Sequence, residues 1–290
     1  LAPARSAGAG IPWDPMGVMF DLEHPIPVAP SSFVQPRAAA YRAKSQTLLV
    51  ADEGQDRLVE LDARVLDPSL ARKAAYEVGQ YEGKERPFAN LVVRGGAPSG
   101  VSLSADESVA YVFCRSTYDV VGVPLDSKDA RPTYVRVAAD PLDEESAAGR
   151  RLFYDATDRT VSGGLGCAGC HPEGRDDGFV WREFFEEGET EHGMNYRGGP
   201  LVVRFGEGHV SRGVPRQTPM LAGRLGAHGP YGWRGESPSL VSRIHVGFAI
   251  HRWTGMHHGH SHGPALDRPK QIVAFLRSGL RAQIGRASCR

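Results

Sequence analysis

The chain is 290 residues long, enough for two domains of ordinary size. Its 34 lysines and arginines balance 34 aspartates and glutamates, so it lacks the charge excess that selects nucleic acid or an anionic membrane surface as a partner. No segment approaches the roughly 18 apolar residues of a membrane-spanning helix, so no transmembrane segment is predicted. The 35 glycines and 21 prolines favour turn-rich β structure or a loop-rich small domain over a helical bundle.

Both ends of the chain indicate an internal fragment of a longer protein. The first residue is Leu1, and no apolar signal-peptide core follows it. Residues 284–290 match an in-frame translation of a common sequencing adapter. We therefore expect that Cys289 carries no structural information and that the native chain continued beyond Gln283.

The first half of the chain is predicted to form short β-strands in hairpins. Residues 47–61 contain two strand-like runs on either side of the polar, glycine-containing loop 52–56. Residues 109–123 repeat this arrangement around the turn 115–118. Repeated short strands of this kind are typical of folds in which each unit buries its faces against a neighbouring unit.

Residues 100–123 resemble a repeat of the YVTN-type β-propeller family, in which a Gly-Val-x-Leu-Ser-x-Asp-x-Ser segment precedes a Tyr-Val hairpin. The resemblance implies that residues 1–135 are the C-terminal part of a β-propeller, whose other blades lie upstream of Leu1. The two hairpins are farther apart than ordinary blades, so an insertion is expected within 64–98.

The pattern changes from strand to helix near Asp140. Pro141 suits the first turn of a helix, Asp140 suits its N-cap, and the acidic residues that follow lie at the positive end of the helix dipole. This helix is predicted to end near Asp155. A second domain is assigned to residues 140–283, which close with an amphipathic helix over 272–280.

The segment Cys167-Ala168-Gly169-Cys170-His171 is the Cys-x-x-Cys-His motif of covalent c-type haem attachment. Thioether bonds from Cys167 and Cys170 hold the porphyrin edge, and His171 follows directly as the proximal iron ligand. A zinc site would need a second pair of Cys or His ligands at regular spacing, and the sequence has no second Cys-x-x-Cys. A thioredoxin-like pair would follow a hydrophobic strand, whereas the glycine-rich segment 162–166 precedes this motif. The predicted cofactor is haem c with its iron.

The segments around the motif resemble the di-haem cytochrome c peroxidase and MauG family. The similar segments are 149–155 before the motif, and 216–221 and 233–240 after it, which contain Thr-Pro-x-Leu and Trp-x-Gly-x-x-x-Ser-Leu. The resemblance implies a mostly α-helical c-type cytochrome domain and a second haem domain downstream. The expected fold class is therefore multidomain, with partial β-propeller blades followed by a mostly α-helical cytochrome c domain.

The sixth iron ligand and the surroundings of the haem are open at this point. Met220 is the first candidate for the distal ligand, because a thioether is an established axial ligand, and core packing beside Leu221 is the alternative. Arg175 and Arg216 are candidates for pairing with haem propionates, with loop salt bridges as the alternative. His192, His245 and Met256 are weaker candidates for the distal ligand. Trp181 and Trp233 are candidates for electron relays between haems, with core packing as the alternative.

A short His-rich segment lies near the C-terminus. Residues 257–262 have the sequence His-His-Gly-His-Ser-His. Neutral imidazoles bind divalent metals, and the interleaved Gly and Ser indicate an exposed loop, so a weak divalent-metal site is predicted there.

The function predicted from these features is electron transfer through one covalent haem, as one half of a di-haem protein in the bacterial periplasm or another extracytoplasmic compartment. A redox protein or the second haem domain is the expected partner. One alternative is a peroxidase-like or MauG-like di-haem oxidoreductase, although residues 240–245 lack the carboxylate expected for peroxide chemistry. The other alternative is a propeller that binds a ligand and is coupled to the haem.

Overall fold

The structure is a computed structural model, and it describes residues 33–68, 71–81, 92–127, 130–157, 166–183, 214–233, 235–244 and 264–280. Several predicted features lie outside these ranges. They are the first 32 residues, His192, His245, Met256, the His-rich segment and the C-terminal seven residues.

Two four-stranded antiparallel sheets occupy the first half of the described chain, each with its strands in sequence order. The first sheet contains β1 (Pro36–Arg42), β2 (Thr47–Asp52), β3 (Arg57–Asp62) and β4 (Arg72–Glu77). The short pair β5 (Gly79–Tyr81) and β6 (Val92–Gly95) follows. The second sheet contains β7 (Pro98–Leu103), β8 (Val109–Cys114), β9 (Asp119–Pro124) and β10 (Thr133–Arg136). Both predicted hairpins are confirmed, because β2 pairs with β3 and β8 pairs with β9 in antiparallel register.

One face of each sheet packs against the other to form a shared core. Leu49 and Leu58 of the first sheet are fully buried, as are Val112 and Val121 of the second. The alternation of buried and exposed residues along β8 is that of a strand with one buried face. The sheets are therefore held together by apolar side chains rather than by continuous backbone pairing.

The second half of the described chain contains helices α1 (Glu144–Tyr154), α2 (Cys167–Cys170) and α3 (Pro264–Ser278). The two-stranded pair β11 (Val180–Glu183) and β12 (Val214–Gln217) lies between α2 and α3 in the sequence. The closing helix is confirmed, although it begins earlier than predicted and ends at Ser278. None of the helices in the described part of the chain combines the length and the apolarity needed to cross a bilayer.

The expected fold class is wrong. Within the described ranges strands predominate over helices, the sheets remain open and separate without closing into a propeller, and the helices, which include a helical turn over 240–244, do not form a large helical domain. In the described stretches 172–183, 214–233 and 235–244 of the second half, glycine and proline favour turns and a short strand pair over long helices.

The start of α1 also differs from the prediction. The N-cap is Asp143, whose side chain accepts a hydrogen bond from the Ser146 N–H at 2.8 Å. Asp140 instead accepts from the Leu142 N–H and pairs with Arg150 at 2.9 Å. Arg150 is a residue of α1 and pairs with the Asp140 side chain. Because Asp140 is engaged in this ion pair, Asp143 caps the helix. The predicted end of the helix near Asp155 is confirmed.

Helices α1 and α3 cross at Gly149. A Cβ atom at this position would lie 1.9 Å from the carbonyl oxygen of Gln271 and 2.8 Å from the Cβ of Phe275, so only glycine permits this approach. Below the crossing, the rings of Phe153 and Phe275 meet edge to face with centroids 5.4 Å apart. The crossing closes an apolar core that also includes Leu152 and Leu276.

We name residues 33–137 the sheet half and residues 140–280 the motif half. Two turns of the sheet half face α1, namely turn 53–56 between β2 and β3 and turn 115–118 between β8 and β9. The second residue of each turn supplies a carbonyl oxygen to the motif half: Gly54 O accepts from the Ala156 N–H, and Ser116 O accepts from Arg150 Nη2, both at 2.9 Å. The turn edge of the sheets is therefore the surface on which α1 is docked.

The helix crossing predicts the effect of adding one methyl group to α1. Gly149→Ala gains about 1 kcal/mol of helix propensity, but its clash with the α3 backbone costs about 3 kcal/mol or more. We expect a net loss of about 2 kcal/mol or more in the free energy of unfolding, measured by urea denaturation. The control is Gly226→Ala, which places the same methyl group in open space. Equal stability of the two variants would contradict the close crossing.

Candidate haem site

The Cys-x-x-Cys-His residues lie on one short helical turn. Helix α2 spans Cys167–Cys170, and the His171 N–H donates to the Cys167 carbonyl oxygen at 2.9 Å. Both cysteines are half-buried. Gly166 begins this turn, and a Cβ there would lie 2.9 Å from Gln35 Nε2. The sequence therefore forms a tight turn that carries two thiols and an imidazole within five consecutive residues.

A sharp change of direction follows His171. Pro172 opens a 3₁₀ turn, Pro172–Gly174, in which Glu173 and Gly174 have φ angles of 53° and 72°. The Gly174 N–H donates to the His171 carbonyl oxygen at 2.9 Å, which closes the turn directly behind the histidine. Left-handed backbone at Gly174 is undemanding, but at Glu173 it needs support from surrounding contacts.

The structure brings the Thr-Pro-Met-Leu segment to this turn. The carbonyl oxygen of Gly174 accepts hydrogen bonds from the Leu221 N–H at 2.8 Å and the Ala222 N–H at 2.9 Å. Thr218 is buried, whereas Met220 is 36% exposed. The candidate distal ligand thus belongs to a segment that is hydrogen-bonded to the motif, and its side chain is not committed to the core.

The apolar core of the motif half supports α2 from one side. Ala168 is fully buried in this core together with Leu152, and the side chain of Cys167 packs against it. Gly174 also fits closely, since a Cβ there would lie 3.0 Å from the Leu280 side chain. The motif is therefore held by packing on one side, and its position depends on the α1–α3 crossing.

The other predicted site residues are distributed as follows. Arg175 is exposed beside the motif. Arg216 lies in β12, opposite Trp181 of β11 in the register. Trp233 is 49% exposed, so it is not a residue of the core.

No group of three or more His, Cys, Asp and Glu side chains is arranged to hold a metal ion among the residues that the structure describes. This finding concerns ions bound by side chains alone. The iron of a haem c takes only axial ligands from the protein, because the porphyrin nitrogens supply the others. Two half-buried thiols, which would form the thioether bonds, and an imidazole directly after them, which would bind the iron, are the groups that this cofactor requires, so the residues present fit it.

Buried carboxylates lie at the turn edge behind the motif. Asp52 is 1% exposed, and burial raises its pKa to about 7 against the hydrogen bond that it accepts from the Val34 N–H at 2.8 Å. Burial likewise raises the pKa of Glu53, while the positive charges of Arg115 and Arg37 oppose that rise. The edge therefore combines buried carboxylates with arginines whose positive charges partly compensate the negative charges of those carboxylates.

Arg115 connects this edge to the turn that follows the Cys-x-x-Cys-His motif. Its Nε lies 3.1 Å from Glu53 Oε1, its Nη1 donates to Glu173 Oε1, and its guanidinium lies 4.9 Å from the centre of the Tyr154 ring. Sequence reasoning missed Arg115, Glu53 and Glu173, because all three lie in polar turns that are typical of solvent-exposed loops. No local signal distinguishes such a residue from a surface charge.

None of the protein-family models, curated proteins or solved structures compared with the chain matches it. The resemblances to the propeller repeat and to the di-haem family therefore rest on the quoted sequence segments.

The buried carboxylate predicts a pH dependence of stability. Asp52 binds its proton more tightly when folded than at its ordinary pKa of 3.8, so the free energy of unfolding falls as the pH rises from about 4 to about 7. Asp52→Asn retains an oxygen for the Val34 N–H and removes the charge. We expect this variant to flatten the dependence and to gain up to about 4 kcal/mol near neutral pH.

Urea denaturation across this pH range provides the measurement. Asp67→Asn is the control, because Asp67 is an exposed carboxylate in the same sheet half. A wild-type stability that does not fall between the two pH limits would contradict the assignment, as would an equal flattening by the control.

Proposed function

We propose that the chain binds one haem c covalently through Cys167 and Cys170, with His171 as the proximal iron ligand, and that it transfers electrons. The observation that carries the proposal is the placement of these three residues on one short turn, with an apolar core on one side. Haem c supplies a one-electron redox couple when bound. The protein residues anchor the group, orient it and exclude water from one side.

Met220 is the proposed distal ligand. Its segment is tied to Gly174 by two backbone hydrogen bonds, and its side chain is partly exposed. Because the Met220 side chain is not buried in the core, its thioether is available as a ligand of the iron. Arg175 and Arg216 remain the candidates for pairing with the propionates.

Exposed apolar side chains on the motif half support the same proposal. Phe179 and Val180, shortly after the motif, are 59% and 66% exposed, and Trp233 is 49% exposed. Exposed apolar side chains that form a contiguous patch are a surface that a ligand or a partner can cover. A porphyrin face is an apolar surface suited to such side chains.

The proposed partner is a separate redox protein or a second haem domain, and the proposed compartment is the bacterial periplasm or another extracytoplasmic one, because c-type haem is attached there. For the peroxidase alternative, the described residues add no support. In the helical turn 240–244, Leu240 is buried and Arg243 pairs with Glu236 at 2.7 Å, so the nearby carboxylate is engaged in an ion pair.

The first test is covalent attachment. The full chain is expressed in a bacterial periplasm with the c-type haem maturation machinery, and haem is detected on a denaturing gel and by its pyridine haemochrome spectrum. We expect wild type to retain haem under denaturation and the double variant Cys167→Ala/Cys170→Ala to lose it. Cys114→Ala, which alters a cysteine fully buried between the sheets, should retain it. Absence of thioether-bound haem in wild type would overturn the proposal.

The second test concerns the distal ligand. We expect Met220→Ala to convert a low-spin, six-coordinate iron spectrum to a high-spin one while the haem remains covalently attached. Leu221→Ala is the neighbouring control and should keep the low-spin spectrum. An unchanged low-spin spectrum in Met220→Ala would assign the ligand elsewhere. A high-spin wild-type ferric spectrum that responds to peroxide would instead favour the peroxidase alternative.

A further inference from the structure

Arg115 bridges two carboxylates from opposite halves of the molecule. Its side chain is 22% exposed, and it contacts Glu53, whose side chain is fully buried in the sheet half. It also pairs with Glu173, whose side chain is 53% exposed in the motif half. The face of Tyr154, at the end of α1, lies against the guanidinium. Arg115 is therefore held by three partners, each from a different element.

The partner Glu173 lies two residues after His171, inside the left-handed turn that follows the motif. The next residue, Gly174, carries the two hydrogen bonds to the segment of Met220. The position of Glu173 therefore affects the backbone of Gly174, which links the turn after His171 to the segment of Met220. The strained φ of Glu173 needs outside support, and the ion pair with Arg115 provides it.

We propose that Arg115 is a positioning residue of the haem site, which makes the sheet half part of that site. Arg115 holds the turn after His171 through Glu173, and its positive charge compensates the carboxylates of Glu53 and of Glu173, the latter two residues after His171. Reduction of the iron adds one negative charge, so a nearby cation stabilises the reduced form and raises the reduction potential. This inference rests on the proposed function.

The test is a charge series in the full chain carrying covalent haem, with the reduction potential measured by spectroelectrochemical titration. We expect Arg115→Gln to lower the potential and Glu173→Gln to raise it. Arg115→Lys retains the positive charge but lacks the planar guanidinium, so its reduction potential should lie closer to that of wild type than the potential of Arg115→Gln does. The double variant Arg115→Gln/Glu173→Gln should lie between the two single variants. A role in folding alone would not produce shifts of opposite sign.

Arg42 provides a matched control. It also bridges two carboxylates, Glu60 and Asp126, and its side chain is 5% exposed, but it lies at the end of β1 away from turn 115–118. Six-residue strands separate the two edges of the sheets by roughly 20 Å. Arg42→Gln therefore weakens the sheet half without removing a charge near the motif, and we expect the potential to stay at the wild-type value.

The outcomes separate this inference from the proposed function. If wild type attaches no haem, the proposed function fails and the inference fails with it. If haem attaches but Arg115→Gln and Glu173→Gln leave the potential unchanged, or shift it in the same direction, the inference alone is overturned. An equal shift in Arg42→Gln would also overturn it. Glu173→Gln changes an exposed side chain, so a folding failure in Arg115→Gln does not prevent a decision.

Discussion

Helix α1 supports the Cys-x-x-Cys-His motif because Gly149 allows the backbone of α3 to approach the helix without an intervening side chain. This approach brings Phe153 and Phe275 together and closes the core on which α2 rests. The opposite side of the same helix carries Arg150, which is 4% exposed and bonds to the sheet half. One helix therefore positions the motif through the crossing at Gly149 and joins the two halves through Arg150.

The contact between the halves combines polar side chains with Ala97, which packs in the apolar core of the motif half. Arg150 donates to the Ser116 carbonyl oxygen and lies 4.6 Å from the Tyr118 ring, while Arg115 binds a carboxylate on each side. Burial of such charges adds little net stability, but removal of one partner leaves an uncompensated charge that costs about 3–5 kcal/mol. These contacts therefore specify a single docking arrangement. An apolar interface of the same area would tolerate sliding, and the turn after His171 would then be less precisely held.

Local patterns predicted local structure well. The alternating residues of β2, β3, β8 and β9 and the polar turns between them predicted both hairpins, because a hairpin is decided by residues that are close in sequence. The end of α1 and the closing helix were predicted for the same reason. The N-cap was misplaced by three residues because Asp140 and Asp143 are both suitable caps, and the distant partner Arg150 decided between them. The fold class was wrong because it was taken from the resemblances, whereas the association of strands and helices into domains is decided by contacts between residues that are distant in the chain.

The sequence by itself determined the candidate chemistry, since the spacing of Cys167, Cys170 and His171 is a property of five consecutive residues. It also determined which segments form strands, because the period of apolar residues is local. Only the tertiary structure decided that Gly174 binds the Met220 segment, that Gly149 is a helix crossing, and that Arg115 reaches Glu173 across the two halves. The physical reason is that a buried ion pair and a close backbone approach arise between residues distant in the chain, and they leave no periodic pattern.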